Sequence, residues 1–408
     1  MSPSEAGEQN PILSGKAPTD RNRLRRLTVA LDPLTDFWTK QYLDTYIPAG
    51  GSKIKFITDY PGSGKTHFAS IIRLKAEEKN YLTVSFSAKN VWLHDFRNIY
   101  LEIVRQCHPE QLLSACAEQV ARRMGYDPAG IPPGGRFVDL LAEQGENDAM
   151  NKKTIRDNLR EMFTRNTKLD HTFAQACSLL TGGILGHPVL ENSHRQVLLN
   201  WLTGDETLKA SQLRAAGLTP VKITKYNARH LLRSLCEVIR MAGKPGLTVI
   251  IDDLEVLLNR GSGEAMRYTK TRRDDTYESI RELIDDIDSL RNVMFLLCFD
   301  RELMDQESIG MKSYQALWLR IQNEVMSTRF NAFADIVDMD RYGEEHYTPE
   351  ALANMSIALA EELKKEGITA RPLSAEQTRT LKERAAFGQL GLPYMMNRMT
   401  LEGGKDNG

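Results

Sequence analysis

A glycine-rich turn that ends in Gly-Lys-Thr is the part of the chain best suited to chemistry. It runs from Asp59 to Thr66 and follows the apolar run Phe56-Ile57-Thr58. In such a turn consecutive backbone N–H groups surround phosphate oxygens, the lysine neutralises the terminal phosphates, and the threonine hydroxyl holds Mg²⁺. A helix that begins at Lys65 directs its positive end at the same phosphates. The turn therefore predicts a phosphate-binding loop.

Seven consecutive residues of this loop are the predicted nucleotide ligands. They are Pro61, Gly62, Ser63, Gly64, Lys65, Thr66 and His67. Its glycines let the backbone approach a nucleotide without a Cβ atom in the way. One position departs from the usual pattern, because Asp59 stands where such loops begin with glycine. Aspartate tolerates left-handed backbone geometry, but its carboxylate would weaken binding of a triphosphate unless it points away.

Carboxylates at the end of a later apolar run predict the second half of the site. The run that begins at Leu247 is continuous and ends in Asp252, Asp253 and Glu255. Ligands of open parallel sheets bind at the carboxyl ends of strands, so we expect Asp252 to hold Mg²⁺ together with Thr66. Asp253 or Glu255 is predicted to polarise the attacking water. The alternative is that these two are solvated acids at a strand end.

Three further residues are candidates for contact with the phosphates. Asp300 ends the next apolar run and either senses the γ-phosphate or caps the following helix. Arg329 lies where it can reach the nucleotide of a neighbouring subunit, with Arg320 as its competitor and a structural ion pair as the alternative for both. Arg398, in a late helical run, is predicted to approach the phosphates, and Pro393 in the same run to abut the adenine.

Alternating strand and helix patterns position these residues. Strands are predicted at Lys53–Thr58, Tyr81–Phe86, from Leu247 to the carboxylates at 252–255, at Asn292–Phe299 and at Ala334–Val337. Helices are predicted at Thr66–Glu77, Phe96–Cys107, Glu110–Met124, Thr154–Thr164, Arg229–Ala242, Tyr277–Leu290 and Tyr314–Met326. The alternation predicts an α/β P-loop NTPase fold whose parallel sheet has helices on both faces.

Five segments make up the predicted organisation. They are a flexible leader (1–26), the first part of the ATPase core (27–108), a large helical insertion (109–228), the second part of the core (229–342), and a C-terminal helical lid and tail (343–408). The leader carries a cluster of arginines between residues 21 and 26. This cluster either contacts nucleic acid or forms the solvated face of a short helix.

Composition narrows the class of protein. The chain has 408 residues, of which 41% are hydrophobic and 26% charged, and a net charge of −1, which suits a globular protein of two or three domains. No apolar run approaches the length of a membrane span, and residues 1–20 lack the apolar core of a signal peptide, so we expect a cytoplasmic protein without a membrane partner. Five well-separated cysteines indicate reduced, buried thiols.

The combined motifs resemble known families. The Gly-Ser-Gly-Lys-Thr core, the Asp252-Asp253 strand end, the Ser-x-Arg-Phe segment at 327–330 and the Gly-Leu-Pro segment at 391–393 together resemble AAA+ and STAND-type ATPases. A narrower set of segments, Asn200–Glu206, Leu231–Glu255, Tyr277–Asp285 and Ser313–Leu317, resembles the P-loop ATP-binding proteins of bacterial BREX-type phage-defence systems. This resemblance implies a cytoplasmic subunit that binds ATP with Mg²⁺ and works with other defence proteins and DNA.

Three functions are compatible with these motifs. The first is an ATP-hydrolysing subunit of a defence complex, in which Arg329 would require a neighbouring copy and hence a homo-oligomer. The second is a non-enzymatic regulator or scaffold that binds ATP as a conformational latch, with the helical insertion docking partners. The departures at Asp59 and Asp253, where many such ATPases carry glycine and glutamate, favour this second reading. The third, a small-molecule kinase, fits less well because such kinases are usually shorter.

Overall fold

Five parallel strands form the centre of the fold. The computed structural model describes residues 17–131, 134–258, 266–325, 330–385 and 390–403. The strands are β1 (Ser52–Asp59), β2 (Leu82–Ser87), β3 (Leu247–Asp252), β4 (Val293–Asp300) and β5 (Ile336–Asp338). They pair in the order β2-β3-β4-β1-β5, and every neighbouring pair is parallel. The parallel sheet and each of its five strands were predicted from the sequence, and the structure confirms them.

The register of the sheet brings polar residues to one edge. Asp59 at the end of β1 is opposite Asp300 at the end of β4. Ser87 at the end of β2 is opposite Asp252 at the end of β3. Because all strands run in the same direction, these four residues meet at the carboxyl edge, where ligands of such sheets bind.

Both faces of the sheet are buried, which explains why its strands read as continuous apolar runs. Side chains alternate between two cores, as the pleat requires. Phe56 and Phe295 belong to the larger core, whereas Ile57 and Leu296 belong to the smaller one. All five cysteines are buried and unpaired, as expected for reduced thiols.

Helices cover the sheet on both sides. Ahead of β2 lie α1 (Arg21–Arg26), α2 (Asp32–Trp38), a π-helical turn at Thr39–Tyr46, and α3 (Lys65–Glu78). Between β2 and β3 lie α4 (Phe96–Gln106), α5 (Pro109–Arg123), α6 (Phe137–Glu143), α7 (Ala149–Leu159), α8 (His171–Leu185), α9 (Asn192–Leu202), α10 (Ala210–Ala215) and α11 (Ala228–Met241). After β3 come α12 (Lys270–Asp285), α13 (Arg301–Asp305), α14 (Gln315–Val325), α15 (Met339–His346), α16 (Pro349–Lys365), α17 (Ala375–Ala385) and α18 (Leu392–Glu402).

The helices between β2 and β3 extend the larger core of the sheet. Cys116 of α5, Cys177 of α8 and Val238 of α11 belong to the same buried cluster as Phe56 of β1. Within the described part of this segment there is no strand. Among the residues that the structure describes, no helix is both long and apolar enough to cross a bilayer.

Helix α1 joins the core to the C-terminal helices through ion pairs. Arg21 contacts Glu77 at 2.6 Å and Arg25 contacts Glu78, both on α3. On the other side Arg26 contacts Glu362 of α16 at 2.5 Å. These arginines fall within the segment predicted to be a flexible leader, and in the structure each of them contacts a glutamate that is distant in sequence. The cluster is a short helix, as one of its two interpretations holds, and its charges are paired.

Glu362 is the most buried carboxylate of this junction, and its replacement by glutamine is expected to destabilise the fold. Its side chain is 5% exposed, and hydrogen bonds from Arg26 lower its pKa to about 2. Since the folded pKa lies below the ordinary value, the stabilisation is present above about pH 4.5 and is lost as the pH falls toward about 2. We expect Glu362→Gln to lower the free energy of unfolding by about 1–3 kcal/mol at neutral pH.

Urea unfolding of wild type and Glu362→Gln at several pH values tests this expectation. The difference between the two proteins should shrink as the pH is lowered. Glu361→Gln is the matched control, because the neighbouring side chain is exposed and should change stability little. Equal losses for the two variants, or a difference that does not depend on pH, would contradict the assignment.

Candidate functional site

The turn between β1 and α3 has the backbone of an anion-binding loop. Gly62 and Gly64 adopt φ angles of 88° and 109°, a region that side chains with a Cβ rarely enter. Gly64 is the N-cap of α3, so Lys65 and Thr66 occupy its first turn. The positive end of the helix dipole therefore faces the loop, as predicted from the sequence.

Lys65 lies between carboxylates at the carboxyl edge of the sheet. Its Nζ atom is 2.5 Å from Oδ1 of Asp300 and 3.2 Å from Oδ1 of Asp59. Burial alone would lower the pKa of Lys65, but Asp59, Asp300 and Glu255 together raise it above its ordinary value. The side chain is therefore a fully charged ammonium group whose partners are all anions.

Asp59 points into the loop. Its side chain is fully buried, and its Oδ2 atom accepts a hydrogen bond from the backbone N–H of Lys65 at 2.9 Å. Burial raises the pKa of Asp59 to about 7, although Lys65 opposes this shift. The Asp59 carboxylate thus interacts with a backbone N–H and an ammonium group that such loops otherwise offer to phosphate oxygens.

Thr66 and Asp252 meet although 186 residues separate them. The Thr66 hydroxyl donates a hydrogen bond to Oδ2 of Asp252 at 2.8 Å. Burial raises the pKa of Asp252. Within the described residues no group of three or more His, Cys, Asp or Glu side chains is placed to hold a metal ion. One hydroxyl and one carboxylate suit Mg²⁺ that takes its other oxygen ligands from phosphate and water.

Asp253 and Glu255 leave the end of β3 in different directions. Asp253 has a φ angle of 62° and accepts hydrogen bonds from Ser87 Oγ at 2.5 Å and Lys89 Nζ at 2.6 Å. Although burial opposes it, these two bonds lower the pKa of Asp253. Glu255 lies in the 3₁₀ turn that follows, and its Oε2 atom accepts the backbone N–H of Asp300 at 3.4 Å. Burial, reinforced by Asp300, raises the pKa of Glu255.

A cleft of about 220 Å³ opens beside the loop. Gly62, Gly64, Lys65, Thr66 and His67 form one wall, so five of the seven predicted loop ligands face it. The other walls are largely apolar: Leu27, Val29, Leu31, Tyr347, Met355, Leu359, Pro393 and Met396. The cleft therefore joins a charged end at the loop to an apolar end between the N-terminal segment and the C-terminal helices, which suits a phosphorylated ligand with a flat organic base.

His67 links the loop helix to the N-terminal wall of the cleft. Its Nε2 atom lies 2.9 Å from the hydroxyl of Thr28. Burial lowers the pKa of His67 to about 4, so the imidazole is neutral at physiological pH. The structure thus gives this predicted ligand a positioning contact as well as a place in the cleft wall.

The remaining two loop residues are occupied on the outer side of the loop. The Ser63 hydroxyl donates to Asp340, which also accepts the backbone N–H of Tyr60 at 2.7 Å. The carbonyl oxygen of Pro61 accepts the backbone N–H of Gly391, the N-cap of α18, at 3.1 Å. The loop is therefore held from outside by both α15 and α18.

The structure separates the other candidate residues. Asp300 is brought to Lys65 and, although it is the N-cap of α13, makes no capping bond with its side chain. Arg320 pairs with both carboxylate oxygens of Asp285 at 3.0 Å, on the surface. Arg398 pairs with Glu402 at 3.1 Å and does not line the cleft. Arg329 lies outside the described residues.

Three groups of site residues escaped prediction. Asp340 accepts hydrogen bonds from the loop, and Lys89 donates to Asp253 after β3. The apolar segment from Leu27 to Leu31 lines the cleft. The apolar run was visible in the sequence, but nothing in the sequence places it beside the loop. The contacts of Asp340 and Lys89 become apparent only when β5 and β2, the strands that precede these residues, are aligned in the sheet.

Comparisons with known proteins identify one similarity. A family model described as "BREX system ATP-binding protein BrxC/D" matches residues 20–123 and 136–343. The matched part includes the loop at 59–66 and every carboxylate at the sheet edge. A search of curated proteins and a search of solved structures each return no match.

Proposed function

We propose that this chain, which belongs to the family of BREX system ATP-binding proteins BrxC/D, couples the binding and hydrolysis of ATP with Mg²⁺ to the assembly of its defence system or to action on DNA. Membership of the family makes the chain an ATP-binding subunit of a BREX defence system, working with other proteins of that system. Hydrolysis, the metal and DNA are the parts that we propose.

One observation carries the proposal. The Thr66 hydroxyl and the Asp252 carboxylate lie 2.8 Å apart, one at the start of the loop helix and the other at the end of β3. Lys65 is beside them with its charge fully retained. A hydroxyl, a carboxylate and a lysine at the mouth of an anion-binding loop are the groups that phosphoryl transfer requires.

Each group has a definable task in that chemistry. Thr66 and Asp252 would hold Mg²⁺, which neutralises charge that develops on the phosphate oxygens. Lys65 neutralises the terminal phosphates by exchanging its carboxylate partners for phosphate oxygens. The apolar walls bury the base and keep water away from it. Asp300 ends β4, which lies between β1 and β3. It would lose its contact with Lys65 when a phosphate oxygen takes its place, and it could thereby sense the γ-phosphate.

Glu255 is the better candidate for activating water. A general base works best when its pKa lies near the working pH, and the pKa of Glu255 is raised whereas that of Asp253 is lowered. Asp253 also accepts hydrogen bonds from Ser87 at 2.5 Å and from Lys89 at 2.6 Å, whereas the contact of Lys89 with Glu255 is longer, at 3.6 Å. We therefore assign water activation to Glu255 and the ordering of Lys89 to Asp253.

Glu255→Gln is expected to lower ATP turnover by about 100-fold with little change in ATP affinity, since general bases contribute about that factor or more. Asp253→Asn, which keeps the shape of its side chain, should lower turnover less. Single-turnover hydrolysis and equilibrium ATP binding of both variants give the comparison. A larger loss of turnover in Asp253→Asn would reverse the assignment.

The overall proposal is tested by ATP turnover of the purified protein with and without duplex DNA. Lys65→Ala is the inactive reference. A specific observation favours a second function, a nucleotide-gated regulator or scaffold with little hydrolysis: Asp59 occupies Lys65 from inside the loop. Tight ATP binding with turnover no faster than that of Lys65→Ala under every condition would select this second function.

Assembly and the C-terminal helices complete the proposal. We propose an AAA+-like homo-oligomer in which Arg329 reaches the nucleotide of a neighbouring copy, and a lid formed by residues 343–408. The hydrogen bond from Gly391 to Pro61 supports a lid that follows changes in the loop. Mass measurement in solution with and without ATP tests the oligomer. Arg329→Ala should lower turnover and leave ATP affinity near normal; loss of ATP binding would contradict action on a neighbour.

A further inference from the structure

Cations and aromatic rings converge on a surface away from the nucleotide cleft. Three segments contribute to it: the loop after β2, the loop before α11 and the first turn of α12. Its members are Trp92, Lys222, Lys225, Tyr226, Lys270 and Arg272, which we call the aromatic-basic surface. None of these side chains takes part in the proposed hydrolysis.

Two sets of contacts place the loops together. The guanidinium of Arg272 lies over the Trp92 ring, 4.5 Å from its centroid. The His94 ring, 5.3 Å from that of Trp92, has its pKa lowered by burial and by the nearby charges of Arg272 and Lys225. Arg97, at the start of α4, donates from Nε to the carbonyl of Ile223 at 3.0 Å, which fastens the loop before α11 to the same region.

Tyr226 is the most exposed large side chain of this surface. Its side chain is 87% exposed, and Lys225 Nζ lies 5.2 Å from its ring centroid. Because so little of the ring is covered by the protein, its face is accessible to a ligand. A flat ring under a cation offers a stacking face beside a positive charge.

In the part of the chain that the structure describes, the cations of the aromatic-basic surface lack carboxylate partners, whereas most of the nearby acids are already bonded. Lys222, Lys225, Lys270 and Arg272 are exposed, and none of them has a carboxylate partner among the described residues. Of the nearby acids, Asp95 caps α4 by accepting the backbone N–H of Arg97, and Glu206 pairs with the Arg97 guanidinium. Asp205 lines the same cavity as Lys222 and Lys225 and accepts hydrogen bonds from the backbone N–H and the hydroxyl of Thr207. Asp275 is the other acid near His94. The four cations are not paired with any of these carboxylates and are therefore available to an anionic ligand.

We infer that the aromatic-basic surface binds single-stranded nucleic acid, with its cations on the phosphates and Tyr226 stacking on a base. Exposed aromatic faces bind unpaired bases, whose faces are hidden in a duplex. An acidic protein would engage the cations but would leave the Tyr226 ring without a stacking partner. The role of this binding in the defence system rests on the proposed function, namely action on DNA.

Fluorescence anisotropy with a labelled single strand of about 20 nucleotides tests the inference without ATP. The test variant is Lys225→Ala/Tyr226→Ala. The matched control is Met150→Ala/Lys153→Ala on α7, which also removes one exposed apolar side chain and one exposed lysine. Thermal melting and ATP binding are measured for both variants, so that a failure of the surface is distinguished from a failure of the proposed ATP site.

We expect the test variant to bind the DNA strand about tenfold more weakly or worse, and the control to bind like wild type. Competition with unlabelled single-stranded DNA, single-stranded RNA, duplex DNA and polyglutamate identifies the occupant. Displacement by DNA or RNA single strands, with duplex weaker, supports the inference and tells the two strands apart. Equal binding by wild type and test variant, or displacement by polyglutamate as effective as by DNA, would overturn it.

Discussion

Lys65→Ala is expected to weaken ATP binding by about 100-fold or more. Truncating one partner of a buried charged pair costs about 2–5 kcal/mol, and the Lys65 ammonium is the nearest cation that the loop offers to the terminal phosphates. Calorimetric titration with ATP and Mg²⁺ measures the change. Turnover should be lost in parallel, because the same interaction persists through phosphoryl transfer.

The Lys65→Ala result requires a second variant for its interpretation. Removing the ammonium leaves Asp59 buried without a cation, which by itself destabilises the loop. Asp59→Asn/Lys65→Ala removes that uncompensated charge and should recover the thermal stability lost in the single variant. ATP binding should remain weak in the double variant. Binding restored to the wild-type value would mean that loop integrity, and not the lysine charge, carries the affinity.

The edge of the sheet could be predicted because it follows from chain-local patterns. Apolar runs that end in carboxylates are visible in the sequence, and parallel strands bring their ends together. That reasoning placed Asp252 beside Thr66 and Asp300 near the phosphate loop, as observed. It also predicted five strands, because fully buried strands differ clearly from the amphipathic helices that follow them.

Contacts between distant segments could not be predicted in the same way. Arg26 pairs with a glutamate 336 positions later, and Tyr60 with an aspartate 280 positions later. No periodicity or spacing encodes such pairs, since each depends on how complete helices pack. For the same reason the sequence did not predict the N-terminal wall of the cleft or the hydrogen bonds between Asp340 and the loop, whereas it did predict the loop itself.

The orientation of Asp59 is the most consequential detail that sequence left open. A residue at the end of β1 can point into the loop or away from it, and only the packing around it decides. Here burial among Lys65, Tyr347 and the strand ends turns the carboxylate inward. Asp59 is therefore an internal anion paired with Lys65, and we propose that ATP displaces it.

Asp59→Asn is accordingly expected to tighten ATP binding by about tenfold at about pH 8, a factor that corresponds to about 1.4 kcal/mol. Asparagine keeps an oxygen that can accept the backbone N–H of Lys65 but carries no charge. The groups that face Asp59 are Lys65, which favours its charged form, and Asp340, which opposes it. Repulsion between the charged carboxylate and the phosphates is removed in the variant, while the fold of the loop is retained.

The same reasoning fixes the direction of the pH dependence. With a pKa of about 7, Asp59 is mostly ionised at about pH 8 and mostly protonated at about pH 6, so wild-type affinity for ATP should rise as the pH falls. The affinity of Asp59→Asn for ATP should depend less on pH. The pH dependence that remains in this variant reports the titration of ATP itself. Asp288→Asn, an exposed site, controls for net charge. If Asp59→Asn binds ATP no more tightly than wild type, and with the same pH profile, Asp59 does not compete with the phosphates and its carboxylate serves only to hold Lys65.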